Sequence, residues 1–117
     1  MKKINYKELS KEMLEQLEKG AFLTVKNDEK VNSMTIGWGS IGYIWNKPIF
    51  TVLVRHSRYT YEMLKNTNEF TISVPLKTDM SKELKVCGTE SGRDIDKVQK
   101  LNLNLKDSIS INTPILN

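Results

Sequence analysis

The stretch "SMTIGWGSIGYIWNKPIFTVLVRHSRYT" (residues 33–60) contains two extended runs, a turn and a dense group of hydrogen-bond donors. "IFTVLV" (49–54) is continuous, β-branched and aromatic, the signature of a strand. "NKP" (46–48) before it reads as a turn. "SMTIGWGSIGYIW" (33–45) is extended in character but is interrupted by Gly37, Gly39 and Gly42. Glycine inside a strand marks the close approach of a ligand or of another backbone. It also marks a bulge or a barrel corner, and both readings stand here. The three glycines match the letters of a dinucleotide fingerprint, but no helix follows them, so that motif is excluded.

"VRHSRYT" (54–60) follows the strand directly. It holds Arg55 and Arg58, the chain's only histidine, and the hydroxyls of Ser57, Tyr59 and Thr60. "YTYEMLKN" (59–66) reads as a short helix with Tyr59, Met63 and Leu64 on one face. The first turn of a helix leaves N–H groups without partners, which attract an anion, phosphate above all. Ser57, Tyr59 and Thr60 add O–H donors, and either arginine adds a planar fork matched to phosphate oxygens. Taken singly, Ser57 or Thr60 is more simply a cap, and each arginine a solvated charge. Taken together within one turn, the group favours a phosphate site. His56 has no carboxylate or nucleophile at a usable spacing and reads as a surface or packing residue.

Outward from this stretch, residues 5–19 read as a helix. Asn5 and Glu8 have capping-box spacing, Leu9, Met13 and Leu17 form a stripe, and Gly20 stops it. "AFLTVK" (21–26) reads as a strand and "NDEK" (27–30) as a turn. "FTISV" (70–74) is another strand, stopped by Pro75. Residues 79–87 read as a helix with Met80, Leu84 and Cys87 on one side, so Cys87 is expected to be a packed thiol. "GTESGRD" (88–94) is a loop, "DIDKVQKL" (94–101) a short helix with Ile95, Val98 and Leu101 inward, and "SISINTPIL" (108–116) contains a strand. Strands alternating with short helices give a mainly β, α+β fold or a small barrel. The helices are too few and too short for a doubly wound parallel sheet.

The chain has 117 residues, the length of one domain, and is 38% hydrophobic and 27% charged. A domain of that size buries roughly two thirds of its unfolded surface and needs no cross-link. One cysteine and one histidine exclude a structural zinc site and fit a reducing cytoplasm. No apolar run reaches membrane-spanning length, and the basic start lacks the apolar core of a leader. The formal charge of +4 is spread along the chain rather than gathered in a block.

"NSMTIGWGSIGYIWNKPIFTVLVRHSRYTYEML", "EFTISVP" and "CGTESGRDIDK", in this order, resemble the flavin reductase-like family, in particular its flavoredoxin branch. The likeness runs from about Val31 to the C-terminus. It implies an FMN-binding split β-barrel over residues 1–117, assembled as a homodimer with flavin near the subunit interface. It implies that the flavin ring and ribityl chain lie against Met34, Thr35, Ile36, Gly37 and Trp38. It implies that the phosphate lies near Arg55, Ser57, Arg58 and Thr60, the donor group reached above from chemistry. The "SGRDIDK" loop is similar to the family's segment near the flavin edge, which brings Arg93 and Lys97 into range. The chain is shorter than the family members it resembles, so the barrel is expected to be incomplete at its C-terminal end.

The expected function is that of a cytoplasmic FMN redox protein, a flavin reductase or flavoredoxin-type carrier drawing electrons from NAD(P)H and passing them to a partner. The flavin performs the chemistry, so no catalytic side chain and no metal is expected. Two other readings remain: a barrel of the same kind that binds FMN or another phosphate ligand without turnover, and a single-stranded nucleic-acid binder. The second ranks low because the aromatics sit within apolar patterns.

Overall fold

Residues 3–116 are described by a computed structural model; residues 1, 2 and 117, the ends of the 1–117 unit expected from the sequence, lie outside the described residues. In chain order the elements are α1 (Ser10–Leu17), β1 (Ala21–Asn27), β2 (Lys30–Ile36), β3 (Gly39–Ile44), β4 (Lys47–Val52), α2 (Tyr59–Leu64), β5 (Thr71–Ser73), α3 (Ser81–Thr89), α4 (Lys97–Lys100), β6 (Leu105–Lys106) and β7 (Ile115–Leu116). β1 is the central strand of an antiparallel sheet of order β2-β1-β5. Its register with β2 runs without a break from Ala21 opposite Ile36 to Asn27 opposite Lys30.

β1 is buried on both faces, and period-two alternation divides its side chains between two cores. Ala21, Leu23 and Val25 pack with Leu17, Met34, Ile36 and Met63. Phe22 points the other way, to Leu84 and Cys87 of α3. On that second face the hydroxyls of Thr24 and Ser33 meet at 3.2 Å, so neither is left unpaired. α2 is tied to the end of β1 by Asn27, whose Nδ2 donates to the Met63 carbonyl at 3.1 Å.

The helix expected over residues 5–19 begins only at Ser10. Asn5 and Glu8 do form the local bonds their spacing suggests, with the Lys7 N–H donating to Asn5 Oδ1 at 2.9 Å. The turn cannot run on into α1, because Leu9 is left-handed at φ 62°. Of the expected stripe only Leu17 is buried, while Leu9 is exposed. The extended run expected over 33–45 is broken at Gly37–Trp38 into β2 and β3, and β2 begins at Lys30, inside the expected turn. β4 takes in Lys47 and Pro48 and ends at Val52, α2, β5 and α4 lie within their expected spans, α3 is shifted two residues on, and β6 has no counterpart in the sequence reading. Gly88 falls inside α3, so the loop after it begins at Glu90, and only the last two described residues of the 108–116 stretch are extended.

The ladders β2-β1-β5, β3-β4 and β6-β7 are separate, and among the described residues they do not close into a barrel. The chain leaves the first sheet at Gly37–Trp38, and β3 and β4 then pair only with each other. Gly39 is required by that pairing, since a Cβ there would lie 2.7 Å from the Thr51 carbonyl. In the sequence the aromatics in and before this hairpin sit within apolar patterns, yet in the fold they are exposed: Trp38 by 65%, Tyr43 by 55% and Trp45 by 90%. The reason is that the ribbon turns Phe50 and Val52 to the first core, while its tip and other side are covered by no further layer among the described residues apart from Tyr6, whose ring stacks on Tyr43 with centroids 5.9 Å apart.

The hairpin turns at Trp45–Asn46, with both residues at positive φ (57° and 62°), one position earlier than expected. This is the backbone of a type I′ turn, which favours Asn and Gly. A bulky residue in the left-handed region costs about 1–2 kcal/mol, and asparagine tolerates it better. Trp45→Asn should therefore raise the stability of the dilute protein by roughly 0.5–1 kcal/mol. Urea denaturation at sub-micromolar concentration measures this, and a loss of stability would show that Trp45 is packed rather than free.

Candidate functional site

Two hollows meet at Met34 and Arg58. The larger, about 460 Å³, lies beside the end of β2 and the residues that follow β4, Leu53–Arg55. It is bordered by Thr35, Ile36, Gly37, Trp38, Val54 and Arg55. The smaller, about 220 Å³, lies between the start of α2 and the end of α3. It is bordered by Asn32, Ser57, Tyr59, Thr60, the 88–93 segment and Lys97. All nine residues nominated from the sequence border one hollow or the other. The apolar and glycine-bearing ones gather at the first, and Ser57 and Thr60 at the second.

Alternation along β2 decides which side chains can reach this cleft. Met34 borders both hollows, and Asn32 faces α2, where its Nδ2 donates to Thr60 Oγ1 at 3.0 Å. Thr35 points to the opposite face, and its hydroxyl donates to the Leu84 carbonyl. Thr35 can therefore serve the cleft only through its backbone. Thr60 is 1% exposed and its hydroxyl proton is not committed by the Asn32 bond. Neither Ser57 nor Thr60 caps α2: Arg58 is the N-cap residue, and no side chain closes that end.

The cations define the electrostatics. Arg58 Nη2 donates to the Cys87 carbonyl at 3.1 Å. Lys97 is 2% exposed, and its Nζ donates to the same carbonyl at 3.1 Å and to the Ser33 carbonyl at 2.9 Å. An ammonium has three donors, so one remains after these two bonds. Among the described residues the ion pairs are Arg93–Glu62 and Lys100–Glu90, and neither Arg58 nor Lys97 has a carboxylate partner. Both are held below their ordinary pKa values, first by burial; Arg55 adds to the effect on Arg58, and Arg58 to that on Lys97. Burial pushes the Cys87 thiol up, with Lys97 pulling against it. Cys87 is fully buried, as expected for a packing residue. Arg55 lies over the Trp38 ring, 5.6 Å from its centroid, at the outer side of the larger hollow.

Sequence reasoning gave Lys97 only as a neighbour in range and did not nominate Asn32. The available signal was a polar residue inside a strand at Asn32 and a lysine between the apolar positions Ile95 and Val98. Gly92 is held so tightly that a Cβ would lie 2.3 Å from Asn32 Oδ1 and 2.7 Å from Tyr59 Cδ2. Arg93 also borders the smaller hollow, where it pairs with Glu62 and donates to the Ser57 carbonyl at 3.4 Å. His56 stacks obliquely on Tyr61, with ring centroids 4.6 Å apart, as a surface packing residue would.

A cleft with an apolar, glycine-lined half and a half holding a buried lysine and a half-buried arginine, neither with a carboxylate in ion-pair contact among the described residues, is suited to a flat ring carrying an anionic tail. The family model for the flavin reductase like domain matches residues 19–117, and the chain belongs to that family. A flavoredoxin from Methanosarcina acetivorans has a similar structure, with a TM-score of 0.71 and 28% identity over 83% of this chain and 50% of that one. An FMN-binding domain of a flavin reductase-like enzyme from Shewanella baltica shares the fold, with a TM-score of 0.72 and 17% identity over 92% of this chain and 56% of that one. An uncharacterized protein of Archaeoglobus fulgidus is 33% identical over 93 residues, which cover 80% of this chain and 51% of that protein. The chain thus spans about half the length of the relatives it matches. No helix among the described residues is long and apolar enough to cross a membrane.

Lys97 makes a prediction about pH. Its pKa in the fold lies below the ordinary 10.5, so between the two values the unfolded chain binds more protons than the folded one. Lys97 by itself therefore contributes stability that rises with pH through that window, while the raised pKa of the buried Cys87 contributes a slope of the opposite sign. Urea denaturation from pH 8 upward should accordingly show a more positive slope in Cys87→Ser than in Cys87→Ser/Lys97→Met, and equal slopes in the two would place the ammonium in water rather than in the cleft.

Proposed function

We propose that the chain is an FMN-binding redox module of the flavin reductase and flavoredoxin kind, drawing electrons from NAD(P)H. The observation that carries this reading is the pair of cations, Arg58 and Lys97, held at one carbonyl beside the cleft without a carboxylate partner among the described residues. A buried charge such as Lys97 left without a counter-ion costs several kcal/mol, a cost that an anionic ligand relieves. When bound, flavin supplies the acceptance and release of hydride and electrons. In this reading Met34, Ile36, Gly37 and Trp38 hold the ring, together with the backbone of Thr35. Arg58 and Lys97 neutralise the anionic tail, Ser57 and Thr60 donate to it, and Arg55 adds positive charge from the Trp38 side.

The wider assignments rest on the same reading. The exposed Trp38, Tyr43, Ile44, Trp45 and Leu53 make an apolar surface of the kind that marks association. A second copy of the chain is the proposed occupant, giving a homodimer, with a redox partner protein taking the electrons. A single unit over 1–117 and a cytoplasmic location complete the proposal; the lone cysteine supports the location. Light scattering at micromolar concentration should give the mass of two chains, and a mass of one chain would overturn the dimer.

Reconstitution with FMN should give a flavin absorption spectrum that bleaches under NADH or NADPH without oxygen. A bound flavin that neither nucleotide bleaches would favour a binding module without turnover. For the phosphate half, Arg58→Ala should weaken FMN by about 1.5–3 kcal/mol, roughly ten- to a hundredfold. Riboflavin, which has no phosphate, should bind the parent more weakly than FMN and respond little to the substitution. Fluorescence-quenching titrations of both ligands on both proteins measure this. Equal weakening of the two would place the effect on the ring side or on folding.

A further inference from the structure

The chain carries no block of like charges, yet its net charge has a single source. Residues 30–61 contain Lys30, Lys47, Arg55 and Arg58 and no aspartate or glutamate. The remaining fourteen basic residues balance the fourteen acidic ones, so the formal charge of +4 belongs to this run alone. The run spans β2, the β3-β4 hairpin and the start of α2. Every residue that borders the larger hollow comes from it, and that border holds Arg55 and Arg58 with no carboxylate.

The positive charge continues along α2. Arg55, His56 and Lys65 are all exposed. Arg55 lies over Trp38, and Lys65 lies over Tyr61 at 5.0 Å from its centroid. His56 rests on the same Tyr61 ring, so the residues from Arg55 to Lys65 form one connected patch. The carboxylate of this helix, Glu62, is engaged by Arg93. Arg55 and Lys65 have no ion-pair partner among the described residues. Beyond Lys65 the character changes, where Asp28 and Glu69 border a polar hollow.

Exposed cations hold a small anion poorly against water and salt. Several of them together steer and orient a large surface of opposite sign. Single-stranded nucleic acid would also supply negative charge, but its bases need free aromatic faces. Here Trp38 and Tyr61 already carry a cation over a face. We propose that the patch from Arg55 to Lys65, beside the larger hollow, docks the acidic face of a redox partner protein. This rests on the flavin reading above and gives the partner named there a chemistry and a place. The place is α2 and the residues before it, rather than the apolar surface proposed for the second copy.

The test is calorimetric titration of the full chain with an acidic ferredoxin. Binding should weaken roughly tenfold between about 10 mM and about 100 mM salt, as the screening length shortens from about 30 Å to about 10 Å. Lys65→Glu, compared at the higher salt, should weaken it by roughly two- to tenfold, one ion pair lost and one repulsion gained. Its FMN affinity should match the parent's, since Lys65 borders neither hollow. Lys82→Glu makes the same change of net charge on α3, outside the run, and should have the smaller effect. Equal losses in the two variants, or binding indifferent to salt, would overturn the docking face. So would tighter capture of a single-stranded oligonucleotide that Lys65→Glu abolishes. FMN titrations on the same samples keep the two readings apart. A parent that takes FMN but no ferredoxin overturns the face alone, and one that takes ferredoxin but no FMN overturns the flavin reading.

Discussion

Burial of β1 on both faces is the constraint on which the other elements depend. Residues 21–25 are essentially removed from water, so each neighbour must cover one face or pair with one edge. β2 and β5 take the edges. α2 and the end of α1 cover one face, and α3 covers the other. A slip of one residue between β1 and β2 would exchange the two faces of β2. It would also turn Met34 away from the cleft and Thr35 toward it. The hydrophobic pattern that fixes the register therefore fixes the site, and the Thr24–Ser33 hydroxyl pair adds a polar match available in that register alone.

A second consequence follows at the far end of α3. The helix is docked on β2 by the Thr35 hydroxyl at Leu84, and its Cys87 carbonyl then stands at the wall of the smaller hollow. Helix ends leave carbonyls without intrahelical partners. Here two cations come to one of them. Such an arrangement is poor in stability terms, since carbonyl dipoles only partly replace the hydration that a buried ammonium loses. The fold is thus least relaxed at the smaller hollow, and under the proposed function ligand binding and stability draw on the same charges.

Much of this could be read in the sequence, and the exceptions have definite causes. β1, β2 and β4 were visible because continuous or alternating apolar residues have few other uses in a short run. Arg55, Ser57, Arg58 and Thr60 fall at the cleft because the donor group in 54–60 follows a strand and precedes a helix, a local arrangement, and Met34 to Trp38 border it because they form the end of β2 and the break after it. The start of α1 was misread because spacing shows that Asn5 and Glu8 can bond but not that Leu9 turns left-handed. The burial of Lys97 was hidden, since lysine is the residue least often buried and its partners, the Ser33 and Cys87 carbonyls, lie 64 and 10 residues away. The exposure of Trp38, Tyr43 and Trp45 was hidden for the opposite reason: an apolar pattern shows which residues avoid water but not whether the chain supplies a layer to cover them.

The two halves of the cleft differ in how firmly they are built. The smaller, cation-bearing half rests on β2, α2 and α3, each packed against β1, and its rim is crossed by the Arg93–Glu62 pair. The larger, apolar half is bounded on one side by β2 and on the other by residues 53–55 and the exposed Trp38. Under the proposed function this asymmetry has a purpose. Charge and closure at the phosphate end can supply retention, which leaves the ring end free to stay open. A redox ligand has to be held and yet remain within reach of a donor and an acceptor, and a site anchored at its far end meets both demands without a moving part.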